Sequence, residues 1–232
     1  EDLDRACRGA RLVAVSWVQY LGGFRLDLEA AEEIARRHGC LFVVDAIQGL
    51  GVFPIDVRRA KIHALAADGH KWLCGPEGCG ILYVAEEVIP QVEPVELGWT
   101  SVARWRDYQS RDLTLRDGAA RYECGTLNTA GCYGLLAAIE LLLEVGIERI
   151  GERVETTTRR IAAGVARRGY QVMTPPNAGI VAFRKEGVDA VETVRRLAGQ
   201  GIAVAPRSGW VRASPHFYVS DAEVEKLVEA LP

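Results

Sequence analysis

Two short apolar runs that each end at a carboxylate constrain this chain most. Residues 41–45 (LFVVD) stop at Asp45, and residues 64–68 (ALAAD) stop at Asp68, shortly before Lys71. We interpret both runs as parallel strands covered on both faces, because neither shows a clear alternation of apolar and polar residues. In α/β sheets the carboxyl ends of such strands border the ligand crevice. The sequence therefore predicts an α/β fold with these three polar side chains at its functional edge.

Helical and irregular segments separate the strands and predict two domains. A third apolar run covers residues 80–84, and a strongly apolar helix ends near Gly146. Residues 1–146 are expected to form a large domain with a mainly parallel sheet, incomplete at its N-terminus. Residues 147–232 are expected to form a smaller α+β domain.

Composition argues against several classes of protein. Charged residues make up 25% of the chain and the net charge is -3 at pH 7, without a basic block interleaved with aromatics, so no nucleic-acid partner is expected. The apolar runs are too short to span a bilayer, so no membrane partner is expected either. The 6 cysteines include no CxxC pair and indicate reduced thiols in a cytoplasmic protein. No metal site is expected.

Lys71 stands between His70 and the apolar pair Trp72 and Leu73. Desolvation in such surroundings disfavours the charged ammonium, and the neutral amine is a nucleophile that forms an imine with an aldehyde. The alternative is a lysine whose ammonium reaches solvent past its apolar stem.

Asp45 ends an otherwise apolar strand, where a buried carboxylate requires a cation or hydrogen-bond donors. The protonated pyridine nitrogen of pyridoxal 5'-phosphate (PLP) would serve, with an attraction of about 4 kcal/mol at ~4 Å and an effective dielectric near ~20. Gln48 is suitably spaced to donate to the phenolate oxygen of the same ring. The alternative is an aspartate that caps the turn marked by Gly49. A lysine and a carboxylate at one sheet edge thus predict PLP as cofactor.

Arg212 lies in the short segment 211–218 (VRASPHFY) near the end of the chain. Its guanidinium would bind the carboxylate of a substrate with two parallel hydrogen bonds. A solvated surface arginine is the alternative.

Four segments together resemble the class V aminotransferases, in the family's order and spacing. They are DAIQGLG, ADGHKWLCGPEGCGILYV, RYECGTLNTAG and VRASPHFY. These fold-type I PLP-dependent enzymes include cysteine desulfurases, selenocysteine lyases, kynureninases and isopenicillin N epimerase-like proteins. The resemblance covers essentially the whole chain and implies PLP as cofactor and an amino acid as substrate, with transamination, C-S lysis or epimerisation as the reaction.

The resemblance also implies roles for single residues. Lys71 matches the lysine that forms the Schiff base with the cofactor, and Asp45 matches the partner of the pyridinium nitrogen. Gln48 matches the donor to the phenolate oxygen. His70 matches a contact to the phosphate. Asp68 stands where many relatives have a phosphate-binding serine, and we expect it to hold a backbone group or His70 instead.

Four further positions follow from the same resemblance. Gln19 and Tyr20 match residues that line the cofactor, and Arg212 matches the arginine that binds the substrate carboxylate. Thr126 is similar to a residue that reaches the phosphate of the neighbouring subunit, which implies a homodimer with shared active sites.

Two departures from the family pattern limit what the resemblance implies. The phosphate-binding turn at a helix N-terminus and the aromatic residue that stacks on the PLP ring lie in an N-terminal portion that this sequence does not include, which predicts weaker cofactor binding. Desulfurases of this family commonly use a cysteine on a loop before the arginine that binds the substrate carboxylate. Here no cysteine follows Cys132, which favours transamination, C-S lysis or epimerisation over desulfuration.

The main alternative to an enzyme is a non-catalytic module with the same fold. A nucleotide-binding domain is disfavoured because no G-x-G-x-x-G motif follows a strand.

Overall fold

The computed structural model describes residues 1–232, which divide into two compact units. The first unit consists of Glu1–Val15, Leu28–Ala46 and Asp56–Ile139. The second unit consists of Ser16–Asp27, Ile47–Ile55 and Glu140–Pro232. Two early segments thus belong with the C-terminal part of the chain, and the domain boundary expected at Gly146 stays a prediction.

The first unit is built on a four-stranded sheet in chain order. Its strands are β1 (Leu12–Ser16), β2 (Leu41–Asp45), β3 (Ala64–Asp68) and β4 (Gly80–Val84). β2 and β3 are parallel, as predicted, whereas β4 runs antiparallel to β3. The sequence predicted a mainly parallel sheet, and the antiparallel direction of β4 has a simple cause. The chain from Gly69 to Cys79 contains no helix and is too short for the crossover that parallel strands need.

Only one face of this sheet is well covered. In β2, Phe42 and Val44 are buried, whereas Val43 is half-buried and Asp45 is exposed. Successive side chains of a strand point to opposite faces, so the residues that share the face of Asp45 are also open to solvent. They include Leu82 of β4, which is 52% exposed. The expectation that these strands are covered on both faces is therefore wrong for this chain.

Three helices begin in the first unit. They are α1 (Asp2–Ala6), α2 (Leu28–Arg37) and α3 (Thr129–Val145), which continues into the second unit. In α2, Glu29 lies in the first turn and Arg36 and Arg37 in the last, an order that complements the helix dipole. Residues 86–122 contain no α-helix and no strand, and include two short 3-10 helices.

The second unit has an antiparallel sheet covered by helices. Its strands are β5 (Gln171–Val172), β6 (Val181–Arg184), β7 (Ala205–Arg207) and β8 (Trp210–Ala213), in the order β5-β6-β8-β7. Its helices are α4 (Ile147–Arg167), α5 (Ala190–Ala198) and α6 (Asp221–Ala230). Phe183, Leu197 and Leu231 are among the fully buried side chains of the core.

The start of α6 is stabilised by a serine. Ser220 is the N-cap, and it forms a capping box with Glu223. Asp221, the first residue of the helix, pairs with Arg153 and Arg160 of α4. Hydrogen bonds from Arg160 and Arg153 lower the pKa of the Asp221 carboxyl. The charge of Asp221 thus connects α6 to α4.

No single helix is long and apolar enough to cross a membrane. Only α3 and α4 taken together, across the break at Gly146, reach the necessary length and composition.

The close contact between α4 and α6 gives a test of packing in the second unit. A Cβ added to Gly164 of α4 would lie 2.4 Å from Cγ2 of Val228 in α6. The β-branched valine has few alternative rotamers in a helix, so overpacking should cost about 1–3 kcal/mol and exceed the ~1 kcal/mol that alanine gains in helix propensity. Gly164→Ala should therefore lower the free energy of unfolding measured in urea.

The matched control is the same substitution in a Val228→Ala background. There the obstructing methyl groups are absent, so Gly164→Ala should stabilise the protein by up to ~1 kcal/mol. Equal effects in both backgrounds would show that the contact with Val228 does not determine the need for glycine.

Candidate active site

The pairing of β2 with β3 brings two of the predicted functional residues to one edge. Asp45, the last residue of β2, lies opposite Ala66 in the parallel register. β3 continues for two residues to Asp68, and Lys71 follows in the next bend. Because both strands end at this edge, Asp45, Asp68 and Lys71 border the same part of the first unit. The sequence-based expectation for this edge is confirmed in its topology.

The segment that carries Lys71 is a loop closed by backbone hydrogen bonds. The amide of Gly69 donates to the carbonyl of Cys79 over 2.8 Å, and the amide of Gly75 donates to the carbonyl of Gly69 over 2.8 Å. A Cβ on Gly69 would lie 2.7 Å from that carbonyl of Cys79, so the closure requires glycine. The loop therefore has a fixed base close to the end of β3.

Inside this loop the side chains divide sharply by burial. Trp72 and Leu73 are buried at 6% and 5% exposure and anchor the loop, whereas Lys71 is exposed. The expected apolar surroundings of Lys71 are therefore wrong for this chain. Apolar neighbours in sequence do not enclose a side chain when consecutive residues of a bend point in different directions. The ammonium of Lys71 is instead accessible from solvent.

Asp68 and His70 lie beside each other at the same edge. Oδ2 of Asp68 and Nδ1 of His70 are 4.0 Å apart, with both side chains partly exposed. This contact confirms the expectation that Asp68 faces His70. A phosphate contact of His70 stays a prediction.

Asp45 was expected to be buried, and it is exposed. It points to the open face of the sheet, the one that also carries Ala66 and Leu82. The open face explains the difference, because Asp45 lacks the cover that a second layer would give. The carboxylate lies at the end of the strand, where a ligand at the sheet edge would meet it.

The second unit contains an arginine with an unused buried donor. Arg212 of β8 donates from Nη1 to the carbonyl of Tyr20 over 2.9 Å. Its Nε is buried and has no hydrogen-bond partner in the chain. Burial, together with the charge of Arg207, lowers the pKa of Arg212. Buried donors are rarely left unpaired, so this arrangement suits an acceptor that comes from a ligand, such as a carboxylate.

The loop beside Arg212 is organised by Gln19. Oε1 of Gln19 accepts from the amides of Leu21 and Gly22 over 2.8 Å and 2.6 Å. These bonds fix the turn whose Tyr20 carbonyl holds Arg212. Sequence analysis assigned Gln19 to the cofactor and missed this local role, although a glutamine shortly before two glycines is compatible with such a turn.

Gln48 and Thr126 differ in their surroundings. Gln48 is buried in the turn after β2, and Thr126 is exposed in the loop before α3. Next to Gln48, Gly49 faces Trp17 so closely that a Cβ would lie 2.5 Å from the indole ring. This contact explains the turn that the sequence indicated at Gly49.

The predicted residues fall into two groups. The first unit contains Asp45, His70, Lys71 and Thr126. The second unit contains Gln19, Tyr20, Gln48 and Arg212. Their assigned contacts with cofactor and substrate stay predictions. No group of three or more His, Cys, Asp or Glu side chains is arranged to hold a metal ion.

Comparison with known proteins identifies the fold and the family of the chain. The family model of the class V aminotransferases matches residues 4–227. A probable cysteine desulfurase of Pyrococcus abyssi is 30% identical over 99% of this chain and 61% of its own length. The apo structure of a cysteine desulfurase from Thermococcus onnurineus superposes with a TM-score of 0.91 at 31% identity, covering 98% of this chain. A cystine C-S lyase solved with cysteine persulfide superposes with a TM-score of 0.87 at 26% identity.

These similarities confirm the predicted α/β fold of the PLP-transferase type. The chain spans 60% of the solved desulfurase and a similar share of the relative from Pyrococcus abyssi. The match nevertheless includes both units and all the segments that carry the predicted residues. The chain therefore belongs to the class V aminotransferase family, whose cofactor is pyridoxal 5'-phosphate.

Proposed function

We propose that this chain forms the greater part of a PLP-dependent enzyme that acts on an amino acid, with Lys71 attaching the cofactor through a Schiff base. The observation that carries the proposal is the position of Lys71 and Asp45 at the ends of two paired parallel strands, within segments that match the family. The accessible amine of Lys71 can reach an aldehyde without moving a buried side chain.

The residues present fit the cofactor at three points. Lys71 supplies a nucleophilic amine, Asp45 a carboxylate for the ring nitrogen, and Gln48 an amide for the phenolate oxygen. His70 and Thr126 are proposed to contact the phosphate, Thr126 across a homodimer interface. When bound, PLP withdraws electrons from the bonds at the substrate Cα and so weakens them.

The remaining steps belong to the side chains of the protein. When not bonded to the cofactor, the amine of Lys71 would serve as the general base that accepts the proton from Cα of the substrate. The negative charge of Asp45 would favour the protonated form of the ring nitrogen. Gln19 fixes the loop of Tyr20, and Tyr20 holds Arg212 in place.

Arg212 is proposed to bind the substrate carboxylate through its unpaired Nε and a second guanidinium nitrogen. A planar guanidinium and a carboxylate match in geometry, so the pair would fix both position and orientation of the amino acid. A bound carboxylate would satisfy the buried Nε and offset part of the cost of desolvating the half-buried guanidinium.

The type of reaction is the part of the proposal that depends on relatives and on the positions of the cysteines. Relatives named cysteine desulfurase or cystine C-S lyase act on sulfur amino acids, according to their names. The lack of a cysteine after Cys132 disfavours a persulfide on the loop before Arg212, which leaves transamination, C-S lysis or epimerisation. Assays for keto acid, ammonia, sulfide and inverted stereochemistry on a panel of amino acids would distinguish them. A cytoplasmic location, with no nucleic-acid or membrane partner, belongs to the same proposal.

The first prediction concerns the attachment of the cofactor. Purified chain incubated with PLP should develop an imine absorption band that disappears on reduction with borohydride. Trypsin does not cleave after a modified lysine, so Lys71 should remain inside a longer peptide that carries the pyridoxyl phosphate. Peptide mass spectrometry measures this directly.

Lys61→Arg is the matched control, because Lys61 is an exposed lysine of the same unit. It should leave the band unchanged, whereas Lys71→Arg should abolish it. Label spread evenly over Lys61, Lys71, Lys185 and Lys226 would mean non-specific chemistry and would contradict the proposal. A colourless protein with unmodified Lys71 would favour the non-catalytic module.

The second prediction concerns Asp45. Asp45→Asn removes the negative charge beside the ring nitrogen, and because the carboxylate is exposed we expect a loss of about 1–2 kcal/mol, or roughly tenfold in PLP affinity. Titration of the imine band measures the affinity. Asp56→Asn, an exposed aspartate of the same unit, should leave it unchanged. Equal effects of both variants would remove Asp45 from the site.

The third prediction concerns Arg212. Arg212→Lys keeps the positive charge but loses Nε and the paired geometry of the guanidinium. Binding of amino acids, measured by the spectral shift of the PLP-loaded chain, should weaken by about 2 kcal/mol, or roughly thirtyfold, with PLP affinity unchanged. Arg207→Lys on the neighbouring strand β7 should have no such effect. A parallel loss of PLP affinity in Arg212→Lys would assign the arginine to the cofactor instead.

A further inference from the structure

Two cysteines that the proposed function does not use lie side by side in the first unit. The thiol of Cys79 donates a hydrogen bond to the sulfur of Cys132, and the two Sγ atoms are 3.8 Å apart. Cys79 directly precedes β4, and Cys132 lies in the first turn of α3. The contact joins positions that are 53 residues apart in the chain.

The backbone around the pair holds the sulfurs in this position. Asn128 donates from Nδ2 to the carbonyl of Gly78 over 3.1 Å, and its Oδ1 accepts from the amide of Gly131 over 3.0 Å. Each cysteine is therefore the sequence neighbour of a residue bound by Asn128. A Cβ on Gly134 would lie 3.0 Å from the ring of Pro76, which shows how closely the loop and the helix approach.

From this geometry we infer that Cys79 and Cys132 form a reversible disulfide site. A disulfide bond is about 2.0 Å long, so the sulfurs must approach by roughly 1.8 Å for the bond to form. The bond would tie the base of the Lys71 loop, which Gly69 and Cys79 close, to the first turn of α3.

The co-reactant is a small disulfide such as oxidised glutathione. Cys132 is exposed, and its thiolate attacks one sulfur of the small disulfide and releases one thiolate from it. Cys79 then gives up its proton to solvent, attacks the sulfur of Cys132 and displaces the second small thiol. The protein loses two protons and two electrons, and the small disulfide gains them and is reduced to two thiols. A dithiol reductant reverses both exchanges.

The greater exposure of Cys132 indicates that Cys132 reacts first and Cys79 second. Burial and the neighbouring sulfur of Cys132 raise the pKa of Cys79, so Cys79 remains protonated and acts second. The other cysteines differ in their surroundings. Cys7 and Cys40 are buried at 0% and 4% exposure, out of reach of an oxidant, whereas Cys74 and Cys124 are exposed.

The test uses the folded chain with oxidised glutathione, followed by alkylation of the remaining thiols. Before alkylation, mass spectrometry of the Cys74→Ser, Cys124→Ser double variant should show a loss of about 2 Da without bound glutathione, and the loss should reverse with dithiothreitol. Non-reducing tryptic digestion should link the peptide from Trp72 to Arg104 with the peptide from Tyr122 to Arg149.

Both peptides carry a second cysteine, which provides matched controls. Cys79→Ser and Cys132→Ser should each abolish the link, whereas Cys74→Ser and Cys124→Ser should preserve it. In Cys79→Ser, glutathione should stay attached to Cys132, because the resolving thiol is absent. Circular dichroism before and after oxidation checks that the fold is kept.

Three results would overturn the inference. A link that survives in Cys79→Ser or in Cys132→Ser would place the disulfide elsewhere. A stable glutathione adduct on Cys132 in the unaltered chain, without the link, would show that Cys79 cannot reach it. A link that forms only in denaturant would assign it to the unfolded chain. None of these measurements depends on PLP, so the inference can fail while the proposed function stands.

Discussion

The parallel pairing of β2 with β3 is the constraint on which the candidate site depends. With Asp45 opposite Ala66, both strands end at one edge, and the chain beyond β3 presents Lys71 there. Parallel strands cannot be joined by a tight turn, so the chain must leave β2 and travel before it enters β3. Part of that connection, Ile47–Ile55, belongs to the second unit. Gln48, close to Asp45 in sequence, lies in that part of the connection.

Close backbone contacts then fix the side chains that this topology brings to the edge. Gly69 closes the Lys71 loop on Cys79, and Gly22 follows the turn that Gln19 organises beside Arg212. At both places the loop uses its own amides and carbonyls for closure, so Lys71 and Nε of Arg212 remain available to a ligand. Pre-organisation of this kind lowers the entropy that binding would otherwise cost.

Sequence analysis succeeded where the signal is local. The apolar runs that became β2, β3 and β4 coincide with the observed strands, because each is bounded by turn-forming or polar residues. The apolar run did not predict the antiparallel direction of β4, because such a run carries no information about the direction of its neighbour, although the short link from Gly69 to Cys79 carried some. The predicted burial of Asp45 and Lys71 was wrong for a related reason, since both side chains are exposed. The exposure of a residue depends on what packs over the strand or bend, and the residues of that strand do not determine it.

Contacts between distant residues were beyond a single sequence. Arg212 was identified through its resemblance to a family motif, but its bond to Tyr20, 192 residues away, and its unpaired Nε depend on the folded chain. The contact between Cys79 and Cys132 also depends on the folded chain, because no CxxC spacing in the sequence indicates it.

The expectation of reduced thiols is compatible with the proximity of these two sulfurs. A reducing compartment keeps both thiols reduced, and the folded geometry decides which pair closes first when the thiol–disulfide balance shifts. Because one of the two sulfurs is exposed and its partner resolves, such a pair responds to the redox state of its surroundings, whereas the buried pair of Cys7 and Cys40 does not.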